Sequence, residues 1–97
     1  MNEWTPAKTI SAVPLNALRA FEVTARHMSM KEAARELNVT PSAISHRLRL
    51  LEEVLGCQLS RRQGSQLRLT EYGEALAPAL SEGFDRIIAA LSKVRPR

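Results

Sequence analysis

Leu37-Asn38-Val39-Thr40-Pro41-Ser42-Ala43-Ile44-Ser45 is the stretch that decides the fold. It holds a helix stop, a tight turn and a helix start with no spare residue between them. Asn38 tolerates the left-handed conformation that closes a helix. Thr40 is a good N-cap, and Pro41 suits the first helical position. Downstream, Ile44, Leu48, Leu51 and Leu55 recur at i, i+4, i+7 and i+11, one apolar face that ends at the stop residue Gly56. Upstream, Ser29-Met30-Lys31-Glu32 reads as a capping box. In it the Ser29 hydroxyl accepts from the N–H of residue 32 and the Glu32 carboxylate reaches back. Ala33, Ala34 and Leu37 then face inward. Two capped helices joined through residues 38–40 make a helix-turn-helix. Ala34 is small where the helices cross, Val39 plugs the turn, and Ile44 packs back on the first helix. Helical hairpins in bundles can share this spacing, so the turn alone leaves function open.

Outward from this pair the chain reads as three segments. Residues 1–13 show no helical or strand period and read as a flexible leader, with no role visible for Trp4. Residues 14–69 form the main unit. It begins at Pro14-Leu15-Asn16, where Asn16 is the expected cap with Leu15 just outside. Leu18, Phe21 and Ala25 then form one stripe. Residues 59–62 and 67–69, separated by Gln63-Gly64-Ser65-Gln66, read as a small β-hairpin that must lie against the helices. Residues 70–97 read as a linker helix capped by Thr70, plus a tail. Its seam is Tyr72, Leu76, Leu80, Phe84, Ile87, Ile88 and Leu91, with Pro78 expected to kink it and Gly83 a second weak point. This stripe reads either as intramolecular core or as a helix-to-helix dimer contact, and its length favours the dimer. The expected fold is mainly α, a helix-turn-helix winged by a two-stranded β-hairpin and followed by a long dimerisation helix.

Composition narrows the function. The chain has 97 residues, room for one domain. Hydrophobic residues make up 44% but aromatics only 4%, which suits packed helices better than a β-sandwich. One cysteine, Cys57, excludes an internal disulfide or a multi-thiolate metal site, and reads as a small core residue rather than a redox sensor. His27 and His46 lie too far apart for a helical metal pair. No apolar run spans a membrane, and residues 1–10 lack the pattern of a secretory signal. No nucleophile–base, paired-carboxylate or phosphate-loop constellation is present, so no enzyme, cofactor or metal is expected. Fourteen basic against ten acidic residues leave +4. Most of that surplus lies in residues 41–70, where Arg47, Arg49, Arg61, Arg62 and Arg68 face Glu52 and Glu53. That concentration points to a phosphate-facing surface and to nucleic acid.

The recognition face follows from the apolar one. Pro41, Ser42, Ser45, His46 and Arg49 lie opposite the Ile44–Leu48–Leu51 stripe. Small polar residues at this end let the helix sink into a major groove about 12 Å wide. His46 reads as a base or phosphate contact, or as a solvated surface residue. Arg49 reads as a phosphate clamp, an i+4 partner of Glu53, or both.

The segments Leu15-Asn16-Ala17-Leu18-Arg19-Ala20-Phe21, Ser29 to Ala34, Leu37 to Ser45, Leu51-Glu52-Glu53-Val54-Leu55-Gly56 and Leu67-Arg68-Leu69-Thr70-Glu71-Tyr72-Gly73 resemble the N-terminal domain of LysR-type transcriptional regulators. The resemblance runs over residues 14–94. The opening residues 14–22 and 25–29 look most like the subgroup of glycine-cleavage and β-lactamase gene activators. It implies a winged helix-turn-helix with a dimerising linker helix. It also implies base contacts from Pro41, Ser42, Ser45 and His46, and phosphate contacts from Ser29, Lys31, Thr40, Arg49 and Arg62. Arg62 is singled out by the resemblance alone. Glu52 resembles the family's typical acidic residue on this helix, which implies a structural role, pairing with an Arg or capping a neighbouring loop. Ser60 departs from the family's usual Phe, which implies a looser first strand or a gap filled by Cys57 and Tyr72. The wing tip at Gly64-Ser65-Gln66 lacks the Arg often found there, which puts minor-groove reading in doubt.

The expectation is therefore a cytoplasmic, nucleoid-associated domain that binds double-stranded DNA as a homodimer, with helix 41–55 in the major groove of an interrupted dyad. The family's effector-binding domain has no counterpart in these residues, so no small-molecule effector is expected to bind this chain. The competing class is a truncated interaction module that heterodimerises with a full-length regulator through the linker helix.

Overall fold

The computed structural model describes residues 11–96. In order come α1 (Leu15–His27), α2 (Met30–Leu37), α3 (Pro41–Leu55), β1 (Ser60–Gln63), β2 (Gln66–Leu69) and α4 (Glu71–Val94). The expected winged helix-turn-helix is therefore present. Most of the leader, Trp4 included, lies outside the described residues. Its end departs from the reading of no regular structure, because Ser11 and Ala12 are helical and Val13 packs against the core.

Local chemistry sets the helix ends. Ser29 Oγ accepts from Glu32 N at 3.1 Å, Thr40 Oγ1 from Ala43 N at 3.1 Å, and Thr70 Oγ1 from Gly73 N at 3.2 Å. Asn38 (φ 58°) and Gly56 (φ 74°) take the left-handed conformation expected of them. Two details differ. The first helix is capped by Pro14, whose carbonyl accepts from Ala17 N and Leu18 N, so Asn16 lies inside the helix. The capping box is half-formed, because Ser29 N donates to Thr24 O and the Glu32 carboxylate turns to Arg35.

The core gathers Ala17, Ala20, Phe21 and Val23 of α1, Ala33 and Ala34 of α2, Ile44, Leu48 and Leu51 of α3, and Leu59. Alanines on the facing sides of α1 and α2 let these helices approach closely around Phe21. Val39, Leu55 and Cys57 pack partly buried at the margin, as a plug and two core residues should. Thr24 is fully buried and its Oγ1 has no partner among the described residues. An unsatisfied buried hydroxyl costs about 1–3 kcal/mol. Thr24→Val keeps the shape and removes that cost, so it is expected to raise stability by about 1 kcal/mol in urea titration. A lowered midpoint would show that the hydroxyl is satisfied.

The β-strands pair antiparallel, Ser60 with Leu69 and Gln63 with Gln66, so Gly64-Ser65 is a two-residue turn. Gly64 takes φ 62°, which a first central residue of a type II′ turn requires. The wing root is pinned from two sides. Glu52 Oε2 accepts from Leu59 N at 2.7 Å and Ser60 N at 3.4 Å, the loop-capping role. Thr70 donates through N to Leu59 O and through Oγ1 to Gln58 O. Leu59 stays buried despite Ser60, while Tyr72 is 55% exposed and fills no gap.

The last helix runs unbroken through Pro78 and Gly83. Its stripe divides. Leu76 and Leu80 pack partly buried on their own domain, and Phe84 sits beneath Arg19. Ile87, Ile88 and Leu91 are half or more exposed. The seam read from periodicity is thus split, with Leu76, Leu80 and Phe84 against their own domain and Tyr72 before them and Ile87, Ile88 and Leu91 beyond them open. Periodicity fixes which side of a helix is apolar, not what covers each turn of it.

Candidate nucleic-acid interface

Two helix starts and the wing converge on one cleft. It is lined by Met28, Ser29, Met30 and Lys31 from the start of α2, Pro41, Ser42 and Ser45 from α3, and Arg62, Ser65 and Leu67 from the wing. A second hollow adjoins it, where Ser45, Arg49 and Glu52 of α3 face Ser60, Arg61 and Arg62 of β1. Seven of the residues expected from the sequence therefore come together. The other two lie at the margin. Thr40 is committed to its cap and sits 3.2 Å from the Ser42 hydroxyl. His46 is exposed on α3 beside Ser45 but lines neither hollow.

The chemistry at this face suits an anion. Ser29 and Thr40 use oxygen lone pairs to cap backbone N–H groups, and a capping hydroxyl keeps its own proton to donate. The first turn of α3 carries no acidic residue, so the positive end of its dipole is not offset internally. Lys31, Arg47, Arg49, Arg61, Arg62 and Arg68 take part in none of the ion pairs among the described residues. Arg49 in particular is not paired with Glu53.

Cations around α1 behave differently, while Arg86 and Lys93 on α4 are, like those at the cleft, in none of the ion pairs among the described residues. Glu22 is buried and accepts from Arg19, Arg26 and Ser81. Glu36 accepts from Arg26 at 2.6 Å and contacts His27 at 2.8 Å. Burial pushes the Glu22 carboxyl up, but hydrogen bonds from Arg26 and Ser81 and the charges of both arginines hold it below the usual range. The Arg26 hydrogen bond, helped by His27, holds Glu36 down to about 2. Positive charge is neutralised around α1 and left bare at the cleft, a segregation that the net charge of +4 conceals.

Sequence reasoning left Arg61 and Arg68 without a role. The hairpin register sets them directly opposite each other on the exposed face, while Arg62 shares the other face with Leu67. Like charges opposed across strands repel. Their place followed only from the register, though alternation along residues 67–69 hinted at it.

Comparison with known proteins bears on the family and the fold. Residues 15–74 match the family model of bacterial regulatory helix-turn-helix proteins, lysR family. The HTH-type transcriptional activator AmpR of Citrobacter freundii is 52% identical over 85 residues, covering 88% of this chain and 29% of that protein. The glycine cleavage system transcriptional activator of Escherichia coli K12 is 44% identical over 84 residues, covering 87% and 28%. The crystal structure of the BenM DNA-binding domain with catB site 1 DNA superimposes with a TM-score of 0.76 at 25% identity, covering 82% of this chain and 90% of that one. The chain spans under a third of the curated relatives it matches. These relatives are transcriptional regulators and not enzymes. No helix among the described residues is long and apolar enough to cross a membrane.

Proposed function

Since the chain belongs to the LysR family of bacterial regulatory helix-turn-helix proteins, we propose that it reads double-stranded DNA as a homodimer, in the cytoplasm at the nucleoid. The observation that carries this reading is the cleft where Ser29, Lys31, Pro41, Ser42, Ser45 and Arg62 meet. It is flanked by cations that no carboxylate of the described residues engages. A helix of about 10–12 Å diameter fits the major groove. With α3 seated there, Pro41, Ser42, Ser45 and His46 meet base edges. Ser29, Lys31, Thr40, Arg49 and Arg62 meet phosphates on either side. Two such subunits, joined through Ile87, Ile88, Leu91 and the exposed Tyr72, read an interrupted dyad. The superposable domain in the BenM complex is itself bound to DNA, which supports this mode.

In vitro selection from random duplexes tests it. Ser42→Ala and Ser45→Ala are expected to relax preference at one or two base pairs, each by about 1–3 kcal/mol of discrimination. Affinity for unselected DNA stays unchanged. An Arg49→Ala variant that altered base preference but not affinity would overturn the assigned roles. Dimerisation without salt-sensitive DNA binding would instead favour an interaction module that pairs with a full-length regulator through the same face of α4.

A further inference from the structure

The carboxylate of Glu22 is buried, and one of its partners comes from α4. Three groups reach it: Arg19 and Arg26 from its own helix, and Ser81 from α4 at 2.9 Å, fifty-nine residues away. One turn along α4, the Arg19 guanidinium lies 5.3 Å from the centre of the Phe84 ring. The start of α4 is pinned to the wing root through Thr70, and past that pin both directional contacts between its middle and α1 pass through one short patch of α1. Beyond Phe84 every described residue of α4 is exposed.

We propose that the Glu22–Ser81 hydrogen bond, backed by Arg19 stacked on Phe84, sets the tilt of α4 on the DNA-reading body and so selects the spacing between the two half-sites. Ser81 is a positioning residue in this role and touches no DNA. The inference rests on the dimer reading given above.

Lever arithmetic gives the latch its leverage. From Ser81 to Val94 the helix extends about 20 Å at 1.5 Å per residue. A tilt of about 10° at the latch moves its far end about 3.5 Å, close to the rise of one base pair, and two-fold symmetry applies the shift to both subunits. The apolar contacts of Leu76, Ala77 and Leu80 hold α4 against the core but are non-directional and permit small tilts. The helix is also weak beside the latch. Pro78 cannot donate to the Glu74 carbonyl, and a Cβ on Gly83 would meet nothing within 4 Å. The buried carboxylate is itself fixed by two guanidiniums, so Ser81 meets an acceptor that does not move.

The test uses the whole 97-residue chain and duplexes carrying two selected half-sites, their separation varied by single base pairs. Wild-type binding is expected to fall about tenfold for one base pair off the optimum, the worth of a hydrogen bond to a charged group. Ser81→Ala is expected to flatten that profile to less than about threefold. Its binding to an isolated half-site and its dimerisation by ultracentrifugation stay as in wild type, while its melting temperature falls by about 5–10 °C with the loss of one hydrogen bond to a charged group. Ser81→Thr, which keeps the hydroxyl, restores the narrow profile. A dimeric Ser81→Ala protein with the wild-type profile overturns this inference and leaves the dimer reading standing. A wild-type chain that binds DNA as a monomer overturns the dimer reading, and this inference with it.

Discussion

Gly73→Ala is expected to destabilise the fold by about 3 kcal/mol, the upper range for forcing one extra carbon into a packed site. For a domain of this size that lowers the melting temperature by about 15 °C. A Cβ at residue 73 would stand 2.1 Å from the Leu59 carbonyl oxygen and 3.1 Å from its carbonyl carbon. Both are backbone atoms and cannot rotate away. The carbonyl is also held in place, because Leu59 O accepts from Thr70 N while Leu59 N donates to Glu52. The first turn of α4 must therefore lift off the wing root and uncover Leu59, which is 2% exposed. The same helix supplies the control. Gly83 has open space around its Cβ position, so Gly83→Ala gains helix propensity worth about 1 kcal/mol and meets no obstacle. Opposite shifts in thermal melting of the two variants are the expected outcome. A Gly73→Ala protein as stable as wild type would show that the α4–Leu59 approach is looser than drawn.

That pair of glycines shows where sequence reasoning stops. Ser29, Thr40, Thr70, Asn38 and Gly56 were legible because each answers a demand within three or four residues of itself, a cap or a left-handed φ. The buried face of α3 was legible for the same reason, since Ile44, Leu48 and Leu51 recur at helical period. Gly73 and Gly83 look alike in the sequence, and only the distant Leu59 carbonyl separates them. The burial of Glu22 depends on Ser81, fifty-nine residues away, and has no local signal in the sequence. Leu80 and Leu91 share one stripe, yet one packs on the core and the other is 60% exposed, because α1 covers only the near half of α4. The cleft belongs to this second class. Arg62 joins Ser45 there through wing docking, which depends on Glu52, Leu59 and Gly73, so only the family resemblance pointed to it.

Removing Arg49 and Arg62 together is expected to produce the largest change in DNA affinity. Neither guanidinium pairs with a carboxylate among the described residues, so neither gives up an internal partner on meeting phosphate. Each phosphate contact lowers the slope of log K against log salt by about 0.9. If Lys31, Arg49 and Arg62 each engage one phosphate per subunit of the proposed dimer, the expected slope is about −5. Arg49→Ala/Arg62→Ala removes four of those contacts per dimer and leaves a slope of about −2. At 0.1 M salt this weakens binding by about three to four orders of magnitude, and equally for all sequences, because phosphates carry no base identity. Fluorescence anisotropy across a salt series measures both quantities on selected and unselected duplexes. The same double variant distinguishes direct phosphate contact from a general field effect. A field effect would be matched by removing Arg86 and Lys93, which α4 carries far along its length from the cleft. Arg86→Ala/Lys93→Ala is expected to change the slope by less than about 0.5. Equal losses from the two double variants would mean that net charge, rather than the cleft, holds the DNA.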